Sequence, residues 1–455
     1  MGKGAYVRIQ NRSTRSVTMV VEGKARIEDQ GMPQLHGTLA AGKQLPAEPA
    51  HKVYGGNYTY IEGEAERRVQ KDGQLTLVAQ HEQGDDKMQL LCDAEKWWAR
   101  SVAEDEAKPA LAISADVGVE EDGNYRIDIK IHDYIPPADW MKVLGNVIAD
   151  KPLCQVALPG THDSGTYQFN EELGASPDSD LTSGIQDKLE VGRGLFRKLT
   201  EKINDAVLGV VFERLCKCQE LTISQQLNEG IRYLDLRIAS HGEDQFYTCH
   251  GVYCVNIDTV LDEVAKFLGN HPKEIVLLDF NHLYEMTPEH HKLLAARITQ
   301  KLGPKMASQK EGLSPDSPVR EYWEKNAQAV VIYHDEATHN ASNGKLWFKN
   351  CIDSKWPEAN DTETLRSKLE NTVEARPKNK FFVLQGILTP DTDLIKKEIF
   401  EGRGDLSIRN IAKRATPKVS NWVEDDWDGK TQNIVMVDFF NDCSMVTPVI
   451  NMNKK

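Results

Sequence analysis

The segment LPGTHDSG places His162 and Asp163 directly after an apolar run and a Pro-Gly turn. A strand that runs into such a turn aims the next side chains out of the end of a sheet. A second group follows in YLDLRI and TCHGVY, which supply Asp235, Arg237 and His250. An isolated histidine in a polar loop is most simply a solvated residue. Two histidines with an arginine are different, because together they suit cleavage of a phosphodiester without a metal. One imidazole takes the proton of an attacking hydroxyl, and the other gives a proton to the leaving oxygen. Histidine does both near neutral pH because its ordinary pKa is about 6.5. The guanidinium offsets charge that grows on the phosphate oxygens. A carboxylate behind each ring would fix its tautomer. Asp163 and Asp438 are the candidates, and which one serves which ring stays open.

These residues share one kind of position. Apolar runs at 154–158, 231–238, 274–278, 329–333, 381–384 and 434–437 end in groups able to do chemistry. Those groups are His162 and Asp163, Asp235 and Arg237, Asp279 with Asn281 and His282, His334 with Asp335, Gln385, and Asp438. Between the runs, apolar spacing at Val260, Leu261, Val264, Phe267 and Leu268 predicts a helix over 259–268, and a second pattern predicts one over 288–302. Continuous apolar strands alternating with amphipathic helices predict a parallel sheet covered on both faces. Chemistry gathered at the C-terminal ends of several strands is the arrangement of a (β/α) TIM-type barrel. An open doubly wound sheet would carry a Gly-rich phosphate loop after its first strand, and none is found. The expected fold class is α/β, a TIM-type barrel that tolerates some distortion.

Residues 1–135 have another rhythm. Short alternating runs at 5–10, 16–21, 57–61, 74–78 and 125–131 are separated by Gly, Asn, Asp and Pro. They predict an antiparallel, sandwich-like, mainly-β domain. The stretch around Trp97 and Trp98 reads as helical or irregular. Nothing there has the spacing of a catalytic site, so the domain is expected to be an accessory one. Ile135-Pro136-Pro137 marks the boundary. The accessory domain then spans 1–135 and the barrel 138–455.

The 455 residues allow about two or three domains. A net charge of −14 argues against coating nucleic acid and against strong electrostatic attachment to anionic membranes. The N-terminus, MGKGAYVRIQ, lacks the apolar core of a secretory signal, and Tyr6 stands where myristoylation wants Ser or Thr. No run of about 18 apolar residues is present to span a membrane. The eight cysteines lack the CxxC spacing of a zinc site, and Cys216 and Cys218 read as ordinary thiols. The expectation is a protein of a reducing compartment, cytoplasmic or peripheral to membranes.

The motifs LPGTHDSGTY, QQLNEGIRYLDLRI, CHGVY and FLGNHPKEIVLLDFNHLYEM, in that order, resemble the X-domain family of phosphatidylinositol-specific phospholipase C. The branch is that of small X-domain-containing proteins without the PH, EF-hand, Y and C2 parts of the signalling enzymes; FFVLQGILTP and NIVMVDFFND fit it too. The resemblance covers residues 138 to 455. It implies a phospholipid substrate at a membrane surface and products that are diacylglycerol and a 1,2-cyclic inositol phosphate. His162 resembles the general base on the inositol 2-hydroxyl, and His250 the general acid on the diacylglycerol oxygen. Asp438 resembles the carboxylate that orients the base, and Asp163 the one that assists the acid. Arg237 stands 13 residues before His250, as in the bacterial enzymes, whose arginine sits where the signalling enzymes bind calcium. Asp235 is expected to pair with Arg237 or to shape the strand end.

Calcium-dependent members have Asn directly after the first histidine and then Glu-x-Asp. Here those positions read Asp163 and Tyr233-Leu234-Asp235, with Arg237 beside them. Calcium wants six to eight oxygen ligands and a guanidinium repels it, so no metal or other cofactor is expected. Asn281 stands where bacterial members carry a phosphate-contacting lysine. Their inositol-contacting arginine and aspartate are replaced in the runs containing Tyr333-His334 and Gln385-Gly386. Asn281, His282, His334 and Gln385 are therefore candidate substrate-binding residues, each of which could equally be a strand-end group satisfied by backbone. Two other readings compete. A glycerophosphodiesterase or sphingomyelinase D-like enzyme on the same barrel needs a Glu-x-Asp metal site, which Tyr233 breaks. Against a non-catalytic lipid- or glycan-binding protein stand both histidines, the arginine and both carboxylates.

Overall fold

The computed structural model describes residues 5–15, 17–22, 37–39, 44–45, 51–53, 74–81, 84–93, 98–103, 110–119, 125–178, 214–389, 407–427 and 433–454. The chain divides into two compact units. One comprises Met1–Pro136 with Lys413–Asp428 and Phe440–Met452, and the other Pro137–Ala412 with Gly429–Phe439 and Asn453–Lys455.

In the first unit the described strands form two five-stranded sheets. In one, Ala5–Asn11 pairs with Tyr125–Asp133, which pairs antiparallel with Leu111–Val119. In the other, Gln74–His81 and Gly84–Asp93 form a hairpin that Trp98–Ala103 extends. Three features differ from the sequence reading. The Ala5–Asn11 pairing with Tyr125–Asp133 is parallel, because the first and last strands of the segment run side by side in one direction. Trp98 begins the strand Trp98–Ala103, where helical or irregular structure was expected. Lys413–Asp428 and Phe440–Met452 belong to this unit although the barrel was expected to run unbroken over 138–455. A buried charge accounts for much of this: Lys130 Nζ lies 2.9 Å from Glu424 Oε2 and 2.7 Å from Asp425 Oδ2. The expected strand at 57–61 and Trp97 fall outside the described residues.

The second unit is built on a parallel sheet whose described barrel strands are Leu158–Thr161, Tyr233–His241, Val276–Tyr284, Ala329–Tyr333, Leu346–Trp347, Ile352–Ser354, Phe381–Gln385 and Ile434–Val437. Neighbours in space are neighbours in sequence. The first strand pairs in parallel with the second and also with the last, which is the closure of a barrel and is foreign to an open doubly wound sheet. Among the described residues one junction carries no ladder, that between Leu346–Trp347 and Ile352–Ser354. The fold is thus an α/β barrel with an open seam. Ala329–Tyr333 and Ile434–Val437 are buried along their whole length, as strands covered on both faces must be.

The helices follow their apolar spacing. Ile257–Asn270 buries Ile257, Val260, Leu261, Val264, Phe267 and Leu268, and its Asn256 cap accepts from the Asp258 N–H. Pro288–Leu302 matches its predicted range; Thr287 and His290 form a capping box with Pro288 in the first turn. The first barrel strand begins at Leu158 rather than Cys154, because Leu153–Gln155 coils into a short 3-10 turn. The hairpin Gln245–Cys249 and Tyr253–Asn256 lay unpredicted between two barrel strands.

The end of the barrel opposite the chemistry is closed by an ion pair. Arg232 and Glu274 are fully buried, with Arg232 Nε and Nη2 at 2.9 and 2.7 Å from Glu274 Oε2. Glu274 also accepts from the Met141 and Lys142 N–H groups, which anchors the chain where it enters this unit. The Arg232 guanidinium packs 4.8 Å from the Phe267 ring centroid. Removing one partner leaves the other charged and buried. Glu274→Ala is therefore expected to cost about 3–5 kcal/mol in urea unfolding; a loss below about 1 kcal/mol would show that water replaces the carboxylate.

Candidate active site

The first barrel strand ends at Thr161, so His162 and Asp163 leave the sheet at its C-terminal edge. Asp163 adopts a φ of 41°, the left-handed region that Asp tolerates better than most residues. Its N–H donates to Asp235 Oδ2 at 3.1 Å, and its C=O accepts from Thr166. Gln219 spans the ends of the first and last strands by donating to the carbonyls of His162 and Val437 at 2.9 and 3.1 Å. These bonds hold His162 beside Asp438, the residue after the last strand.

Arg237 and Asn281 are aimed by a β-bulge. The second and third strands stay in register through Leu236 and Phe280, after which Arg237 pairs with His282 and Asn281 is the extra residue. Asn281 Nδ2 donates to Asp235 Oδ1. His282 is exposed and its Nδ1 lies 2.8 Å from Asn281 Oδ1. His250 sits in the turn of the unpredicted hairpin. That hairpin approaches closely because Gly165 has no side chain: a Cβ there would lie 2.4 Å from Thr248 Cγ2. Thr248 Oγ1 donates to the Gly165 carbonyl at 3.0 Å.

The result is one buried cluster around Asp163. Arg237 Nε is 2.9 Å from Asp163 Oδ1. On the other oxygen, His162 Nε2 lies at 3.3 Å and His250 Nε2 at 3.5 Å. His162 Nδ1 is 2.8 Å from Asp438 Oδ1, and the two imidazole centroids are 6.1 Å apart. Partner chemistry assigns the tautomers. Arg237 Nη2, 3.1 Å from His162 Nε2, can only donate, so in the neutral form of the ring Nε2 offers its lone pair and Nδ1–H points to Asp438. His250 Nδ1 lies 2.9 Å from the Cys216 carbonyl, which can only accept, so Nδ1 carries hydrogen. Each ring thus turns its Nε2 to the same place.

The charges shift one another. Burial disfavours protonated His162, but Asp163 and Asp438 outweigh it and raise its pKa from 6.5 to about 9. Burial would raise the Asp163 carboxyl, yet Arg237 and both histidines hold it below its ordinary value. Asp235 moves up, through burial and the nearby Asp163 charge. The Arg237 guanidinium is partly buried, which disfavours its charge, but Asp163, Asp235 and Asp178 hold it charged.

Of the remaining sequence candidates, Asp235 shapes the strand end: its close partners are the Asp163 N–H and Asn281, whereas Arg237 turns its Nε to Asp163. His334 lies on the next strand end and pairs with Asp279 Oδ1 at 2.9 Å, while Gln385 donates to Ser354 Oγ at 2.9 Å. Neither is drawn into the histidine cluster. Sequence reasoning missed Trp356, whose half-exposed ring lies 5.5 Å from the His162 ring and whose Nε1 donates to Thr389 Oγ1 at 3.1 Å. It also missed Gln219 and Cys218. The Cys218 sulfur is 3.5 Å from His250 Nδ1 and 3.9 Å from Asp163 Oδ2. Among the described residues, His162, Asp163 and Cys218 have donor atoms within 4.8 Å of one another and could hold a metal ion.

Because the folded-state pKa of His162 is raised, proton binding there stabilises the fold below about pH 6.5, and that contribution fades as pH rises through about 9. An NMR titration of the His162 ring should show a midpoint near 9 that Asp438→Asn moves downward; a midpoint at or below 6.5 in the wild type would contradict this electrostatic picture. Gly165→Ala should displace the hairpin, visible as a changed His250 ring shift in the same spectra.

The PI-PLC X 1 family model matches residues 200–295. PI-PLC X domain-containing protein 2 of Mus musculus is 33% identical over 325 residues, covering 70% of this chain and 87% of that protein. PI-PLC X domain-containing protein 3 of Mus musculus is 30% identical over 321 residues, covering 70% of this chain and 93% of that protein. Phosphatidylinositol-specific phospholipase C from Listeria monocytogenes aligns with 70% of this chain and 100% of its own at 15% identity and a TM-score of 0.49. With this coverage and identity, the chain belongs to the PI-PLC X domain-containing family.

Proposed function

We propose that this chain cleaves the phosphodiester of a phosphatidylinositol-type lipid by acid–base catalysis between His162 and His250, without a metal ion. The observation that carries the reading is the convergence of both Nε2 atoms on Asp163 Oδ2, at 3.3 and 3.5 Å, with Arg237 Nη2 3.1 Å from the first. A phosphate placed against that guanidinium would have one imidazole on the side of the attacking hydroxyl and one on the side of the leaving oxygen.

In the neutral form of the His162 ring, a fraction that grows as pH rises toward about 9, the proton of the inositol 2-hydroxyl passes to Nε2 as its oxygen bonds to phosphorus. The bond to the diacylglycerol oxygen breaks, and that oxygen takes the proton of His250 Nε2. The products are diacylglycerol and a 1,2-cyclic inositol phosphate. Asp438 steadies the imidazolium that forms at His162, and Asp163 holds Arg237 and the acid in place. Asn281 and His282, linked to each other on the bulged strand end, are assigned to the phosphate side of the substrate, and His334 and Gln385 to the headgroup side. Among the described residues no helix is long and apolar enough to cross a membrane. The lipid is then met at a membrane surface, with the exposed edge of Trp356 next to the base.

The donor set disfavours calcium. Calcium would need several free oxygens, whereas Asp163 Oδ1 is taken by Arg237 and Asp235 by the Asp163 N–H and Asn281. The guanidinium supplies the positive charge instead.

The deciding assay is release of cyclic inositol phosphate from phosphatidylinositol in mixed micelles, with EDTA and calcium arms. His162→Ala and His250→Ala should each lower the rate by about 10²–10⁴-fold with the fold intact. Arg237→Asp should cripple the enzyme, with partial recovery in calcium. No release by the wild type in either arm would sink the proposed substrate, and loss of activity in EDTA would sink the metal-free mechanism.

A further inference from the structure

Acid–base chemistry requires His162 and tolerates Asp163 as a holder of charge, but it has no use for a thiol. Yet Cys218 is fully buried with its sulfur 3.9 Å from Asp163 Oδ2, the oxygen that also lies 3.3 Å from His162 Nε2. Nitrogen, carboxylate oxygen and sulfur facing one point are the ligand types of zinc. Zinc bonds of about 2.0–2.3 Å in a tetrahedron put neighbouring ligand atoms about 3.3–3.8 Å apart; the two separations from Asp163 Oδ2 are 3.3 and 3.9 Å, and all three donor atoms lie within 4.8 Å of one another.

We propose that His162 Nε2, Asp163 Oδ2 and the Cys218 thiolate form a site for a borderline-soft divalent cation of the zinc type, and that its occupation shuts off the acid–base pair. The second half rests on the function proposed above; the first does not.

The surroundings of the ligands match this assignment. A histidine that binds a metal through one nitrogen usually donates its other N–H to a carboxylate or carbonyl, which orients the ring. His162 has such a partner in Asp438, 2.8 Å from Nδ1. The fourth position of the tetrahedron stays open to water or to His250 Nε2, 3.5 Å from the same Asp163 oxygen. Arg237 keeps its Nε on the opposite oxygen, Asp163 Oδ1, at 2.9 Å, and gives up only the lone pair of His162 Nε2. The guanidinium repels zinc as it does calcium, and the charges of Asp163 and the Cys218 thiolate are what offset it. Zinc needs four ligands instead of six to eight, accepts sulfur, and brings a second negative charge into play when the thiol ionises.

Binding releases the Cys218 thiol proton to solvent, together with the proton of His162 wherever that ring is charged, so affinity should rise with pH. Occupation removes the lone pair that receives the proton of the attacking hydroxyl, and the rate falls. A chelator should then restore activity or leave it unchanged.

The test uses the full chain, stripped with chelator and titrated with Zn²⁺ against a chromophoric competitor and, separately, with Co²⁺ in the spectrophotometer. About one metal per chain and a thiolate-to-cobalt charge-transfer band are expected. Cys218→Ser should abolish the band and weaken zinc by at least about 100-fold, while Cys443→Ser changes neither. Asp438→Asn keeps the thiol and should retain the band with zinc weakened by about 10–100-fold, which guards against a Cys218 variant that fails to fold. Absence of the band in the wild type, or unchanged zinc affinity in Cys218→Ser, would overturn the site. In parallel, zinc should inhibit lipid cleavage by the wild type; stimulation, or indifference at saturating zinc, would overturn the inhibitory role. A chain that binds zinc through Cys218 but never cleaves lipid would retain the site and refute the proposed function instead.

Discussion

Everything at the candidate site is arranged around one buried carboxylate. Asp163 is almost fully enclosed, and an ionised group in that position is tolerable only with matching positive charge and hydrogen bonds. Arg237 supplies the charge on one oxygen, and the two histidines approach the other. The constraint runs in both directions, since Arg237 is itself partly buried and kept charged by Asp163 and its acidic neighbours. The backbone contributes as well. The left-handed turn at Asp163, fixed by its N–H bond to Asp235, sends the side chain inward between the strand ends. A carboxylate on a differently turned residue could not touch all three partners.

The two ends of the barrel use the same kind of chemistry for different purposes. Arg232 and Glu274 are completely enclosed, and their charged atoms meet carbonyls, N–H groups and each other. Such a pair contributes little net stability relative to an apolar filling but fixes how the strand ends meet. At the other end the histidines keep 4% and 5% of their surface in contact with solvent.

The strand ends were legible because a buried parallel strand is written as an unbroken apolar run and the next polar residue must leave the sheet. His162 and Asp438 follow directly on such strands and Gln385 ends one, whereas Arg237 and Asp279 lie inside strands that run on to His241 and Tyr284. The helix at Pro288–Leu302 was equally plain, since a capping threonine, a first-turn proline and regular apolar spacing agree. What could not be read depends on contacts between distant segments. The bulge that turns Asn281 to Asp235 is a matter of register between two strands, and each strand taken alone looks regular. Cys218 and Gln219 follow no pattern; they matter because the chain brings them beneath His162. The parallel pairing of Ala5–Asn11 and the docking of Glu424 on Lys130 likewise join residues far apart in sequence. His334 and Gln385 sit at strand ends as expected, the first with Nε2 2.9 Å from Asp279 Oδ1 and the second donating to Ser354 Oγ.

The missing ladder between Leu346–Trp347 and Ile352–Ser354 changes the mechanics of the barrel. In a closed barrel the backbone hydrogen bonds act as a hoop, and widening the mouth means breaking them. With the hoop cut at one junction, the circumference there is set by side chains. Trp356, two residues beyond the strand Ile352–Ser354, lies against His162 and donates one hydrogen bond to Thr389 Oγ1. The mouth can therefore grow or shrink beside His162 for the cost of a ring contact and one hydrogen bond, about 1–3 kcal/mol, while the strands carrying the histidines, the arginine and Asp438 keep their spacing. The rigid arc holds the chemistry, and the compliant arc meets whatever must fit against it.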